Sequence, residues 1–180
     1  MNAFETDQPA EGLPAETLAS TPAKSVKSDW NFAGKPPRVL FLCTNNSARS
    51  PMAETLLRHL SQGQVEVFSA GSTPAAQVDP EAVRALSRLG VDMRQYVPKN
   101  VDQLRAQSFD HVIVLCDAEK ETCPIFPGAA DTITWTIPDP LSAQAPVQDR
   151  SRAFDYLAIE LNTRIRLLLT VLERESRVNV

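Results

Sequence analysis

The stretch "VLFLCTNNSARSPMAE", Val39 to Glu54, decides how the rest of the chain is read. An apolar run suited to a central strand, "RVLFLC", ends on Cys43; small polar residues follow, then Arg49-Ser50, and then the helical pattern "PMAETLLRHLSQ". Asn46, Ser47 and their small neighbours let the backbone curl so that successive N–H groups point inward. That makes an anion nest, completed by the amino end of a helix starting near Ser50 and Pro51. Arg49 adds a planar fork able to hold two oxygens of a tetrahedral anion. The same positive field favours a thiolate at Cys43, and Ser50 is placed to donate a hydrogen bond to its sulfur. The bland alternative is a small buried cysteine ending a core strand, with Arg49 on the surface. A strand-to-helix junction is where the chemical reading needs this sequence to lie.

Working outward, short apolar runs alternate with helical patterns. After the first helix, with Met52, Leu56, Leu57 and Leu60 on one face, "VEVFSAG" reads as a second strand. The next helix has Asp79 as N-cap, Pro80 at its first position, Val83, Leu86 and Leu89 toward the core, and Gly90 at its end. A short helical piece around "NVDQLRAQ" precedes the strand "HVIVLC", and "TITWTI" is a fourth strand. A long helix from about Gln148 to Glu175 carries Phe154, Leu157, Leu161, Ile165, Leu168 and Leu172 at helical spacing. The expected fold is therefore α/β, doubly wound, with a four-stranded parallel sheet and helices on both faces. Ligands of such sheets bind at the carboxyl ends of strands, and both Cys43 and Cys116 end strands.

Composition narrows the function. The chain has 180 residues, 43% of them hydrophobic, which suits one domain with a sizeable core. Residues 1–36 are rich in Pro, Ala, Glu, Ser and Thr and read as a disordered N-terminal extension, leaving 37–180 as the folded domain. Trp30 and Phe32 at the end of the extension are read as partly exposed rings of a linker, with docking on the body as the alternative. A net charge of -4 gives no sign of a nucleic-acid partner. No basic segment followed by an apolar run opens the chain, and no apolar stretch approaches membrane-spanning length, so the expectation is a soluble, cytoplasmic protein. Its three cysteines, Cys43, Cys116 and Cys123, point to reduced, reactive thiols rather than a disulfide framework.

Cys43, five residues, Arg49-Ser50 and "PMAE" resemble the phosphate-binding loop of the low-molecular-weight protein tyrosine phosphatase superfamily, and the likeness runs from about residue 37 to 175. "FSAG" and "PDP" at 138 to 140 are shared landmarks. The resemblance implies an oxyanion loop of Thr44, Asn45, Asn46, Ser47, Ala48, Arg49 and Ser50, a Cys43 nucleophile, and Asp139 as general acid.

The superfamily holds both phosphatases and arsenate reductases. In "VIVLCDAEKETCPIF", Cys116 and Cys123 resemble the redox segment of thioredoxin-coupled arsenate reductases, whereas "DPLSAQ" lacks the aromatic residues that tyrosine phosphatases of this fold tend to carry there. The resemblance thus implies arsenate as substrate in arsenic detoxification, no bound cofactor, and an external thiol reductant. Thioredoxin is the first expectation, with glutaredoxin or a low-molecular-weight thiol as alternatives. The redox-active disulfide passes from Cys43–Cys116 to Cys116–Cys123, which requires the charged segment between the latter two to move. Asn46, Glu54 and Ser69 match positions that help hold potassium in some of these reductases. Lys99 stands where such relatives supply an acid, so Glu54, Ser69 and Lys99 are expected to support the loop with no metal bound. His59 and His111 are read as a surface and a strand-edge residue. A phosphatase forming a Cys43 phosphocysteine, and a non-catalytic oxyanion-sensing protein, remain the alternatives.

Overall fold

The computed structural model describes residues 30–117, 122–127, 132–141 and 147–178. Elements follow in the order β1 (Arg38–Cys43), α1 (Arg49–Leu60), β2 (Glu66–Gly71), α2 (Pro80–Arg88), a 3-10 helix (Val101–Leu104), β3 (His111–Cys116), β4 (Thr132–Thr136) and α3 (Val147–Val178). The four strands are parallel, in the order β2-β1-β3-β4. The chain runs from β1 to one side and then crosses to β3 on the other. The carboxyl end of β1 therefore opens on the crevice where such sheets take their ligands.

Why β1 is central is plain from its sequence: Val39 to Leu42 are all fully buried, since both faces of the strand are covered. Alternation divides the core. Val39, Phe41 and Cys43 of β1 and Ile113 and Leu115 of β3 face Met52, Leu56 and Leu57 of α1 and the stripe Phe154, Leu157, Leu161, Ile165, Leu168 and Leu172 of α3. Leu40, Leu42, Val112, Val114 and Cys116 face the other way, toward Val101 and Leu104 of the 3-10 helix and toward Phe109 and Phe126. Phe109 stands edge-on to both Phe68 and Phe126, with centroids at 5.4 and 5.5 Å.

The punctuation of α2 is as expected: Asp79 accepts from the Glu81 N–H, Pro80 opens the helix, and Gly90 lies just beyond it at φ 75°. Its buried face differs. Ala82, Ala85 and Leu86 are buried, Val83 is half-buried, and Leu89 is exposed, because the helix ends at Arg88 and Leu89 is its C-cap. His111 opens the inner strand β3, and its Nε2 lies 3.0 Å from Glu175. His59 is exposed on α1.

Trp30 and Phe32 pack, half-buried, against the core. The Asn31 and Ala33 N–H groups bond Glu173 and Ser176 of α3, so docking, not a free linker, describes this end of the extension. Residues 1–29 lie outside the described residues, as do 118–121 between the two later cysteines. Among the described residues no helix is long and apolar enough to cross a membrane.

Leu161 of α3 is fully buried among residues of α1, α3 and the sheet. Leu161→Ala is expected to lower unfolding free energy by about 2–5 kcal/mol, read as a lower urea midpoint with an unchanged slope.

Candidate active site

Cys43 ends β1 as a free thiol, 1% exposed. The chain turns directly after it, and Asn46 takes up the left-handed conformation, φ 45°, which asparagine tolerates better than most residues. The loop is braced from outside: the carbonyls of Thr44, Asn45 and Ser47 accept from the N–H groups of Thr73, Ala75 and Asp79 at 2.8–2.9 Å. With those carbonyls turned outward, the loop amides are left for the concave side. No side chain caps α1, whose first-turn N–H groups add to the same positive end.

Gly71 at the end of β2 makes this closeness possible. A Cβ there would stand 2.6 Å from the Thr44 carbonyl oxygen and 2.9 Å from the Asn46 nitrogen, both backbone atoms with nowhere to go. The loop and β2 therefore pack backbone to backbone.

Arg49 is 2% exposed, and burial of a guanidinium demands partners. Its Nη2 lies 3.3 Å from Asp139 Oδ2, and its Nη1 donates to the Ile137 carbonyl at 3.4 Å. Asp139 Oδ1 in turn accepts from the Leu141 N–H at 3.0 Å. The carboxyl is thus held over the cup lined by Cys43, Asn45, Ser47, Ala48, Arg49, Asp139 and Leu141. A free thiol, the loop residues Asn45, Ser47 and Ala48, a guanidinium and a carboxyl line one cup, an arrangement suited to displacement at a tetrahedral oxyanion.

Behind the cup lies a polar network. Ser50 Oγ is 2.9 Å from Cys43 Sγ. Asn46 Nδ2 donates to Ser50 Oγ at 2.8 Å and to Ser69 Oγ at 2.9 Å, while its Oδ1 accepts from the Lys99 N–H at 2.7 Å. Lys99 Nζ lies 3.0 Å and Arg58 Nη2 2.6 Å from the Glu54 carboxylate, which is 2% exposed. The expected supports Glu54, Ser69 and Lys99 are all here, with the Lys99 ammonium on the carboxylate. Tyr96 was not foreseen. Its hydroxyl meets Ser69 Oγ, Glu54 Oε2 at 2.8 Å and Asn46 Oδ1 at 3.3 Å. Burial, reinforced by the Glu54 charge, pushes its phenol well above the usual range, so it stays protonated. Nothing local in "RQYVPKN" marks it, because its partners are 27 to 50 residues away.

Cys116 and Cys123 form a disulfide with Cα atoms 5.6 Å apart. Cys116 is fully buried and Cys123 half-buried, on the sheet face opposite Cys43. The structure thus brings the loop, Arg49 and Asp139 together, and holds the two later cysteines as a separate pair.

The sequence profile of the low molecular weight phosphotyrosine protein phosphatases matches residues 38–178. The chain belongs to that family. Among curated relatives, arsenate reductases of Halalkalibacterium halodurans and Bacillus subtilis are 32% and 30% identical over 128 residues, 71% of this chain and 91% of theirs. Among solved structures, a thioredoxin-dependent arsenate reductase of Corynebacterium glutamicum aligns with TM-score 0.57 and 30% identity, over 79% of this chain and 64% of that one. An arginine phosphatase of Geobacillus stearothermophilus aligns with TM-score 0.66 and 26% identity, over 81% of this chain and 98% of that one. Relatives named for arsenate reduction and a neighbour named for arginine phosphatase activity thus both align with this chain.

Gly71→Ala is expected to cost about 1–3 kcal/mol in stability through overpacking against the loop backbone. It should also weaken inhibition by inorganic phosphate, measured against turnover of an aryl phosphate.

Proposed function

We propose that this protein reduces arsenate to arsenite by a three-cysteine relay, in the cytoplasm, with thioredoxin as reductant. The observation that carries the reading is the pairing of a phosphatase-type loop around a free Cys43 with a Cys116–Cys123 disulfide at the end of the neighbouring strand. Phosphate hydrolysis needs only the first of these.

Arsenate, a phosphate-like tetrahedral anion, sits on the loop amides and Arg49. The Cys43 thiolate attacks arsenic, and Asp139 protonates the oxygen that departs as water. The Cys116 thiolate then attacks Cys43 Sγ. The electron pair of the sulfur–arsenic bond passes to arsenic, so arsenite leaves as a Cys43–Cys116 disulfide forms. Attack by the Cys123 thiolate on Cys116 Sγ returns Cys43 as a thiolate and leaves Cys116–Cys123. The external dithiol reduces that bond and is itself oxidised to a disulfide. Because Cys116 and Cys43 face opposite sides of the sheet, the second step requires the end of β3 to turn over. The intervening residues 118–121, whose charged sequence is read as permitting that motion, lie outside the described residues.

A phosphatase reading is supported by the family and by the arginine phosphatase neighbour. A non-catalytic oxyanion sensor is disfavoured by Asp139, since binding alone has no use for a proton donor over the cup.

Cys43→Ser is expected to abolish arsenate reduction and aryl phosphatase activity alike. Cys116→Ser and Cys123→Ser should each stop multiple turnover of arsenate while sparing aryl phosphate hydrolysis. Peptide mass spectrometry of Cys123→Ser after one turnover should show Cys43–Cys116. Normal cycling of Cys123→Ser with every thiol donor would overturn the three-cysteine relay, and a two-cysteine scheme or the phosphatase reading would replace it. Asp139→Asn should slow the chemical step by ~10²–10⁴-fold while oxyanion affinity holds, read by single-turnover kinetics.

A further inference from the structure

We propose that residues 1–29 lie along the outward face of α3, where they cover a stripe of apolar side chains and set their carboxylates on its arginines. Neither the oxyanion loop nor the thiol chemistry enters into this docking.

A surface helix of a folded domain turns one apolar stripe inward and a polar face to solvent. α3 has a second stripe. Away from its buried row, Tyr156, Ile159, Leu167, Val171 and Val178 stand 49–77% exposed. Five of the eight large apolar side chains exposed among the described residues are therefore on this one helix. Single exposed apolar residues are ordinary, but a row of them at helical intervals is a face without a partner.

The extension touches this helix where it enters the fold. Its Asn31 and Ala33 N–H groups donate to Glu173 at 3.0 Å and to Ser176 at 3.2 Å, beside the half-buried Trp30 and Phe32. Followed backwards from Ala33 to Asn31, the chain moves from Ser176 to Glu173, toward the start of α3. Those two residues belong to one i, i+3 ridge of the helix surface, and its next members are Thr170 and Leu167, both exposed. The chain preceding Trp30 thus starts at the edge of the outward face and is directed along it. From Val178 back to Tyr156 is about 33 Å of helix at ~1.5 Å per residue. Residues 1–29 can span about 95 Å when extended, so the whole stripe is within reach.

Charge selects the same occupant. Residues 1–20 carry Glu5, Asp7, Glu11 and Glu16 and no lysine or arginine, with Phe4, Leu13 and Leu18 among them. The ion pairs that α3 arginines make with described residues use Arg150, Arg164 and Arg177, which leaves Arg152, Arg166 and Arg174 exposed on the outward face. A second copy of the chain fits less well. Laid antiparallel so that Ile159 meets Leu167, it sets Arg152 against Arg174, and the Glu160 it offers to Arg166 is bonded to Arg164 at 2.6 Å. A tethered segment also docks at an effective concentration of order millimolar, which a free copy lacks.

The test is cleavage of the full-length protein by a glutamate-specific endoproteinase. Rates at Glu5, Glu11 and Glu16, read by mass spectrometry, are compared with those of a synthetic peptide of residues 1–29. Protection of about 5–30-fold over the peptide is expected, the scale of a marginal local opening. Leu167→Asp, at an exposed position, should bring the rates to those of the peptide with little change in melting temperature. Arg166→Glu combined with Arg174→Glu should do the same, and about 1 M sodium chloride should remove part of the wild-type protection. Wild-type cleavage at the peptide rate overturns the proposal, and so does protection that survives in both variants. Sedimentation covers the other occupant: a dimer that Leu167→Asp converts to monomer, with cleavage unaltered, assigns the stripe to a second copy and overturns the docking of residues 1–29.

Discussion

The architecture of the site depends on one residue being held in an uncommon conformation. Asn46 sits at φ 45°, and its side chain is bonded at both ends: oxygen to the Lys99 N–H, nitrogen to Ser50 and Ser69. A left-handed residue costs free energy unless its surroundings over-determine it. Here they do, since the side chain ties the loop to β2, to α1 and to the segment before the 3-10 helix at once. The Gly71 backbone contact closes the same loop from below. A loop held this way needs little reorganisation when an anion arrives, which is the condition under which backbone dipoles stabilise charge most effectively.

Local sequence was sufficient wherever the determining contacts are local. A continuous apolar run gave β1, the strand-loop-helix order placed Cys43 and Arg49, and Asp79, Pro80 and Gly90 delimited α2. Reading failed where the answer lies in what packs opposite. Helical spacing put Leu89 toward the core, on the face of Ala82, Ala85 and Leu86, but the helix stops at Arg88 and Leu89, as its C-cap, is left in solvent. Trp30 and Phe32 looked like linker residues because composition around them is polar, while their binding surface on α3 is more than 100 residues distant. Tyr96 was invisible for the same reason: its importance is the sum of three contacts contributed by α1, β2 and the oxyanion loop.

Glu54 shows why the network is built from charges. A carboxylate 2% exposed is costly, and burying it with Lys99 and Arg58 rather than replacing all three with apolar residues is no obvious gain in stability. What the arrangement supplies is orientation. The carboxylate accepts from the Tyr96 hydroxyl, the Lys99 ammonium and the Arg58 guanidinium at once, and so fixes the side chains packed behind the loop.

The redox pair lies on the other side of the sheet but is not isolated from the acid. Cys116 pairs with Thr136, and its carbonyl accepts from the Ile137 N–H at 3.2 Å. The Ile137 carbonyl in turn accepts from Arg49, which holds Asp139. In the proposed relay, turning Cys116 toward Cys43 would break the first of these bonds and so loosen the strand end that carries both Ile137 and Asp139. That order would suit the proposed relay: the acid would be needed while arsenate loses an oxygen, before Cys116 moves, and would have no proton to deliver once the sulfur–arsenic bond is to be broken by a thiol. The edge position of β4, paired on one side only and half-exposed along its length, lets that strand yield without disturbing β1 and the braced loop.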